Sequence, residues 1–416
     1  MRTRSRTISR RDLLRRTALG AIGLGLGPSF LLRRASARAS SRVLVAIFQR
    51  GAVDGLNMVV PHGDADYYRL RRSIGIPPPG EQGGAVDLDG FFGLHPSLAP
   101  LLGPYEAGEL AIVHACGSPD PTRSHFDAQD FMETGSPGDK TTREGWLARH
   151  LLATGPAPGA RLRAVALAGA LPRALAGAPD TYAATTLSEL ALGRSRQAEL
   201  AVAALERMYR GRGDLLGETV EETLANFDLF AELGGRDDPP RNGASYPPGA
   251  LGAQLREVAR VIRAGIGVEV AYLNTSGWDT HANEGGSTGT LAGLLAELAA
   301  ALVAFRRDLG DAMADVCVLT MSEFGRTAAE NGSRGTDHGH GTAMLVLGGT
   351  VSGGRVFGRW PGLASDRLFE GRDLAVTTDF RALFGEIVER HLGNPDVASV
   401  FPGFAYGADT RPGVIA

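Results

Sequence analysis

Short apolar runs recur along the chain, and most of them end in a polar cluster. Val43 to Phe48 reads Val-Leu-Val-Ala-Ile-Phe, a run rich in strand formers. It suits a strand covered on both faces, as in parallel sheets. Leu110 to Ala115, Arg163 to Leu167, Val268 to Leu273, Val316 to Met321 and Ala343 to Leu347 repeat the pattern. Between them, apolar residues fall at helical spacing. Leu98, Leu101, Leu102 and Tyr105 form one such stripe, and Leu251, Leu255, Val258, Ile262 and Ile266 a second. Leu291, Leu294, Leu295, Leu298, Leu302 and Phe305 form a third. Asp379 caps a further helix bearing Phe380, Leu383, Phe384, Ile387 and Val388, which stops at Gly393. Strand–helix alternation of this kind predicts an α/β fold, a mostly parallel sheet with helices on both faces. Residues 62–94, rich in Gly, Pro and charge, read as an excursion over the surface. Residues 170–250 read as a mostly helical insertion that caps the sheet edge, closed by a proline-rich loop.

The first residues have another character. Ser9-Arg10-Arg11-Asp12-Leu13-Leu14 precedes a weakly apolar, glycine-bearing run from Thr17 to Leu32, then Arg33, Arg34 and Ala35-Ser36-Ala37. A charged start, an apolar stretch and a small-residue cleavage site make a signal peptide. The paired arginines predict the twin-arginine export machinery as its partner. The run falls short of the ~20 apolar residues that span a membrane comfortably. The expectation is a signal over residues 1–39 and one mature domain over 40–416. That domain would be periplasmic or secreted, with no stable membrane anchor after processing. Hydrophobic content of 43% supplies a large core. A formal net charge of −3 and no basic cluster beyond the first 50 residues argue against a nucleic-acid partner. Two cysteines, Cys116 and Cys317, make neither a disulfide framework nor a thiolate zinc site. Buried free thiols are expected, with a single bridge between them left open.

The candidate chemistry sits where strands end. Thr336-Asp337-His338-Gly339-His340-Gly341 packs a carboxylate and two imidazoles between glycines, just before an apolar run. Those are oxygen and nitrogen donors suited to a divalent metal, zinc first, with magnesium, manganese or calcium as alternatives and one or two ions in view. Asp54 follows the first strand, Asp279 and His281 another, Glu323 and Arg326 a third. A parallel sheet would gather them on one edge with Asp337, His338 and His340. Ser124 or Thr122 would head a helix running to about Glu133, beside Arg123 and His125. A hydroxyl nucleophile, nearby divalent ions and a guanidinium are a kit for attack on phosphate or sulfate esters. Plainer roles stand beside these: Ser124 as a simple cap, Asp54 and Trp278-Asp279 as turns, Glu323 and Arg326 as an ordinary ion pair.

The segments Ile47 to Asn57, Ser118 to Gly135, Trp278 to Asn283, Thr320 to Arg326 and Thr336 to Pro361 resemble the DUF1501 family of secreted bacterial proteins. That family is a distant relative of the alkaline phosphatase and sulfatase superfamily. The resemblance implies an alkaline-phosphatase-like α/β fold with a two-metal site at the carboxyl edge of its sheet. By the same resemblance, Asp54 matches the metal-binding carboxylate after the first strand. Ser124, in Pro121-Thr122-Arg123-Ser124, matches the nucleophile, with Arg123, His125 and Arg326 around it. Asp279 and His281 match a ligand pair, set closer together in sequence than in the superfamily. Either Asp337-His338-Gly339 or Glu323 fills the remaining Asp-His place, with His338 or His340 as the last ligand. The implied activity is an exported metal-dependent hydrolase or transferase acting on small-molecule or polymer esters. The alternatives are a non-catalytic metal- or ligand-binding protein on the same fold and an envelope assembly factor.

Overall fold

The computed structural model describes residues 42–416, apart from 157–159, 161, 179–180, 191–195, 210, 215–216, 218–219, 221–223, 225, 227–228, 232 and 234–237. The expected signal over residues 1–39 lies outside the described residues. The chain folds as mixed α/β around a nine-stranded sheet. Its strands are β1 (Val43–Gln49), β2 (Leu110–Gly117), β3 (Ala164–Leu167), β4 (Thr181–Ala184), β5 (Val270–Thr275), β6 (Val316–Met321), β7 (Thr342–Gly348), β8 (Val356–Phe357) and β9 (Thr378–Asp379). The order is β8-β2-β7-β6-β1-β5-β3-β4, with β9 also paired to β2. β1 lies parallel to both β5 and β6, and β3 parallel to both β5 and β4. β7 alone runs against its neighbours β6 and β2.

Each face of β1 feeds a different core, because strand side chains alternate. Val43, Val45 and Ile47 pack with the apolar stripes of two helices, α3 (Ala250–Arg263) and α4 (Thr290–Leu309). Leu44, Ala46 and Phe48 pack with Trp146, Leu147 and Leu151 of α2 (Trp146–Thr154). They also meet Phe380, Leu383 and Phe384 of α5 (Phe380–Glu386). All seven residues of β1 are buried. Burying a side chain of the size of Ile47 or Phe48 contributes ~1.5–3 kcal/mol. This explains why the run is apolar throughout rather than alternating. The remaining long helix near the site, α1, spans His125–Thr134 and is ended by Gly135 in the left-handed region (φ 65°). Asp379 caps α5 as expected, accepting from Arg381 N at 2.9 Å.

Three expectations are corrected. Residues 62–94 are not a mere surface excursion. They carry a helix, Ala65–Leu70, and two strands, Val86–Asp87 and Gly93–Leu94, of a small sheet completed by Val59–Val60, and they bury Tyr67 and Arg71. The stretch 170–250 is not helical at its start, since Thr181–Ala184 joins the main sheet as its edge strand beyond β3. Helices Leu187–Leu190 and Arg196–Tyr209 do follow it. The loop before β7 reaches the carboxyl edge because β7 is reversed. In an all-parallel sheet the start of that strand would lie at the opposite edge. Cys116 and Cys317 are both buried and unbridged.

Candidate metal centre

Three segments meet beyond the carboxyl ends of β5 and β6. The first follows β5. Trp278, buried, donates its indole N–H to Thr275 Oγ1 at 2.8 Å, which fixes the turn that presents Asp279 and His281. The second is the start of α1, where His125 is the first helical residue. The third is the hairpin from β6 to β7, which brings back Asp337 and His338. Its neck is stitched by Gly325 N to His340 O and Gly339 N to Gly325 O, both 2.8 Å. Glycine is required at both stitches: a Cβ on Gly325 would lie 1.9 Å from Gly341 O, and one on Gly339 2.3 Å from Arg326 C.

Donor atoms of His125, Asp279 and His338 lie within 4.8 Å of one another. His281 joins them, its Nε2 standing 2.9 Å from His338 Nε2 and 3.1 Å from Asp279 Oδ1. His338 Nε2 is 3.3 Å from Asp279 Oδ1, and His125 Nε2 is 3.6 Å from Asp279 Oδ2. Ligand atoms in a tetrahedral zinc site with ~2.05 Å bonds stand ~3.3 Å apart. The separations among Asp279, His281 and His338 are of that size, and His125 shares the compact group with Asp279 and His338.

The opposite nitrogen of each ring is committed. His125 Nδ1 meets the buried carboxylate of Glu323 at 2.8 Å, and His281 Nδ1 meets Asp337 Oδ1 at 3.0 Å. His338 Nδ1 meets the carbonyl oxygen of Arg123 at 2.9 Å. Each partner can only accept, so each Nδ1 carries the proton, an assignment that follows from the network. Three Nε2 lone pairs are left pointing into one small volume. Two of them oppose each other at 2.9 Å, which is repulsive unless a cation lies between. His125 Nε2 is shielded from solvent and has no hydrogen-bond partner. Imidazoles held by an acceptor at the far nitrogen are typical of metal ligands, because the bond fixes the ring and raises its basicity.

The electrostatics differ between the rings. The hydrogen bond to Glu323 holds His125 above the usual histidine range. Burial lowers His338, which favours the neutral ring. Asp279 is held below the usual carboxylate range: burial pulls upward, but the bond and charge of Arg326 outweigh it. Glu323 is likewise lowered, burial being outweighed by donors from His125 and Gln129. Phe324 stacks on His125 with centroids 5.0 Å apart and leans on His338 at 5.1 Å, so the rings have an apolar wall.

The other residues singled out in the sequence take different places. Glu323 and Asp337 stand behind histidines rather than in the donor set. Asp54 is outside the cluster; it caps Gly55–Met58 and is ion-paired with buried Arg71. His340 is also outside, stacked on Phe369 with centroids 4.3 Å apart. Arg123 spends its guanidinium on Asp373 and Glu370. Arg326 is buried. It donates to the carbonyls of Ala52 (2.7 Å), Thr336 (3.1 Å), Trp278 (3.0 Å) and Gly51, and to the Asp279 carboxylate. It therefore holds Asp279 and leaves no donor for a substrate. Ser124 stands at the head of α1 but makes no capping bond, and it is exposed. Gln129 was missed: its amide donates to Glu323 at 2.8 Å. Its position, four residues after His125 on one helix face, is the signal that could have found it.

Fold and site together define a mixed α/β protein with a histidine–carboxylate cluster at the carboxyl edge of a mostly parallel sheet. The family model for a protein of unknown function, DUF1501, matches residues 41–400, and the chain belongs to that family. No curated protein matches the chain. Among solved structures it is similar to the PsFucS1 sulfatase from Pseudoalteromonas sp. The identity is 12% and the TM-score 0.32, over 76% of this chain and 64% of that one. It is also similar to the PH0037 protein from Pyrococcus horikoshii. There the identity is 13% and the TM-score 0.28, over 74% of this chain and 86% of that one. The chain thus spans a little under two thirds of the sulfatase, and neither likeness is close enough to assign chemistry.

Proposed function

We propose that the chain holds one divalent ion, zinc by its donor set, through His125, His281, His338 and Asp279. In this reading it acts on phosphate or sulfate esters after twin-arginine export to the periplasm or beyond. One observation carries the reading: three imidazoles with Nδ1 committed and Nε2 lone pairs aimed at the same carboxylate. An ion bound there would act as a Lewis acid towards an ester oxygen and favour a deprotonated hydroxyl nearby. Ser124 supplies that hydroxyl. It is exposed, spared from capping, and adjacent in sequence to His125 and to the Arg123 carbonyl that holds His338. The head of the ten-residue helix α1 favours an anionic group beside it. The fold class that the resemblance implies, alkaline-phosphatase-like, fits the mostly parallel sheet with its one reversed strand.

A second reading, a metal-binding protein without turnover, is favoured by two features. Four protein donors would close a tetrahedral site, as in structural zinc centres. Arg326 is buried and held by carbonyls and Asp279, and Arg123 places Nε and Nη2 on Asp373 and Glu370. Metal analysis and an ester screen separate the two readings. The hydrolase should carry zinc and cleave an aryl phosphate, a diester or an aryl sulfate, and Ser124→Ala should lose that turnover while keeping the ion. Metal without turnover on any of them would leave the binder. Purified chain that takes up no ion would end both.

A further inference from the structure

A second polar cluster lies beneath the first and is built around one side chain. The Arg71 guanidinium, fully buried, donates through Nη1 to the Asp54 carboxylate and to Asn57 Oδ1 (2.8 Å). Nη2 reaches Thr327 O at 2.9 Å and Nε reaches Ala328 O at 3.0 Å. We propose that the chain carries a single metal ion, because the guanidinium of Arg71 is the resident cation in the place that the family resemblance reserves for a second ion at Asp54. This rests on the one-ion reading of the histidine cluster and goes beyond it.

The residues present do not fit a metal at Asp54. Oδ2 is taken by Arg71, and Oδ1 accepts from Leu56 N (3.2 Å) and Asn57 N (3.4 Å). An incoming ion would have to expel the guanidinium, and the buried carbonyls of Thr327 and Ala328 would lose its N–H donors. The neighbouring carboxyl of Glu284 is committed through one oxygen, while its Oε1 is buried without a hydrogen-bond partner. Its Oε2 accepts from Thr280 Oγ1 (3.0 Å) and Thr336 Oγ1 (2.7 Å). Burial and the charge of Asp54 raise Glu284 well above the usual range, so it keeps its proton. Arg71 and Asp54 then balance, and the cluster is neutral. A divalent ion added to it would be an uncompensated buried charge, which is costly. The cage also fixes the donors above it. Thr280 lies between Asp279 and His281, Thr336 precedes Asp337, and Thr327 follows Arg326, so Arg71 and Glu284 tie down both donor-bearing loops.

The test is a metal count on the folded full chain, equilibrated with excess zinc and dialysed. The expected result is one ion per chain in the wild type, one in Asp54→Asn and none in His338→Ala. Two ions per chain, with one lost in Asp54→Asn, would overturn the inference and leave the histidine site standing. No ion in the wild type would overturn the one-ion reading itself. If Asp54→Asn fails to fold, Arg71→Ala decides through chemical rescue. Millimolar guanidinium ion should raise its melting midpoint where equal sodium does not. An equal response to both salts would remove the resident cation from the argument.

Discussion

The histidine cluster and the arginine cage are built from the same kinds of residue at the same edge of the sheet, yet they are opposites. In the cage every carboxylate oxygen of Asp54 has a donor and the cation is a side chain of the chain itself. In the cluster the donors outnumber the hydrogen bonds, and Nε2 of His125 has none. A carboxylate at a strand end therefore says little until its partner is known. Asp54 closes on Arg71 and becomes architecture. Asp279 is also held by an arginine, but three imidazole lone pairs share its volume, and it stays open to a ligand.

The contrast predicts different losses. Arg71→Met should cost about 3–5 kcal/mol of stability, the usual result of leaving one partner of a buried pair alone. Urea unfolding measures it, and a loss under ~1 kcal/mol would mean that the cage is not holding the fold. Acid should act next. His114 is buried, accepts from Ala115 N at Nδ1 and meets Val59 O at Nε2, and burial lowers it to about 4. Its folded pKa lies below the ordinary 6.5, so the folded state binds fewer protons. The stability it contributes is complete above pH 6.5 and is lost as pH falls towards 4. At ~1.4 kcal/mol per pH unit the loss is about 3 kcal/mol. His114→Gln should flatten that part of the stability–pH curve.

Glu323→Gln keeps a carbonyl oxygen opposite His125 but removes the charge. Zinc affinity should fall about 10- to 100-fold, the range for a lost outer partner of a metal-binding histidine. A competition titration with a chelating dye reads it, and an unchanged constant would exclude His125 from the donor set. Ser124→Ala should be the mildest for the fold, within ~0.5 kcal/mol, because no capping bond is lost. A loss above ~1 kcal/mol would show that Ser124 serves the helix rather than a substrate.

The strands with apolar runs were legible because burial on both faces leaves a continuous signature; Val316–Met321 matches its expected bounds. The two-residue strands Val356–Phe357 and Thr378–Asp379 were not, since two residues carry no period. Thr181–Ala184 was hidden by small and polar side chains at an edge. In the site, Asp279, His281, His338 and His125 stood out by residue type beside apolar runs. What the sequence lacked was pairing. Nothing local says that Arg71 belongs to Asp54, or that Arg123 and Arg326 are spent on Asp373 and on backbone carbonyls. Those contacts join residues far apart in sequence, and they decide which polar groups remain for a ligand. His340 looked equal to His338 by spacing, but its ring stacks on Phe369, a contact with a residue distant in sequence that no local pattern announces.

The reversed direction of β7 has one more consequence. Both ends of the segment from Gly325 to Gly339 meet at the same rim, closed by two main-chain bonds. The segment is thus a cassette with a fixed clasp, and His338 and Arg326 sit at the clasp rather than at the tip. The tip is tied back as well: Asn331 donates to Asp337 and to the His281 carbonyl, so a change of length there would reach the histidines through those two bonds.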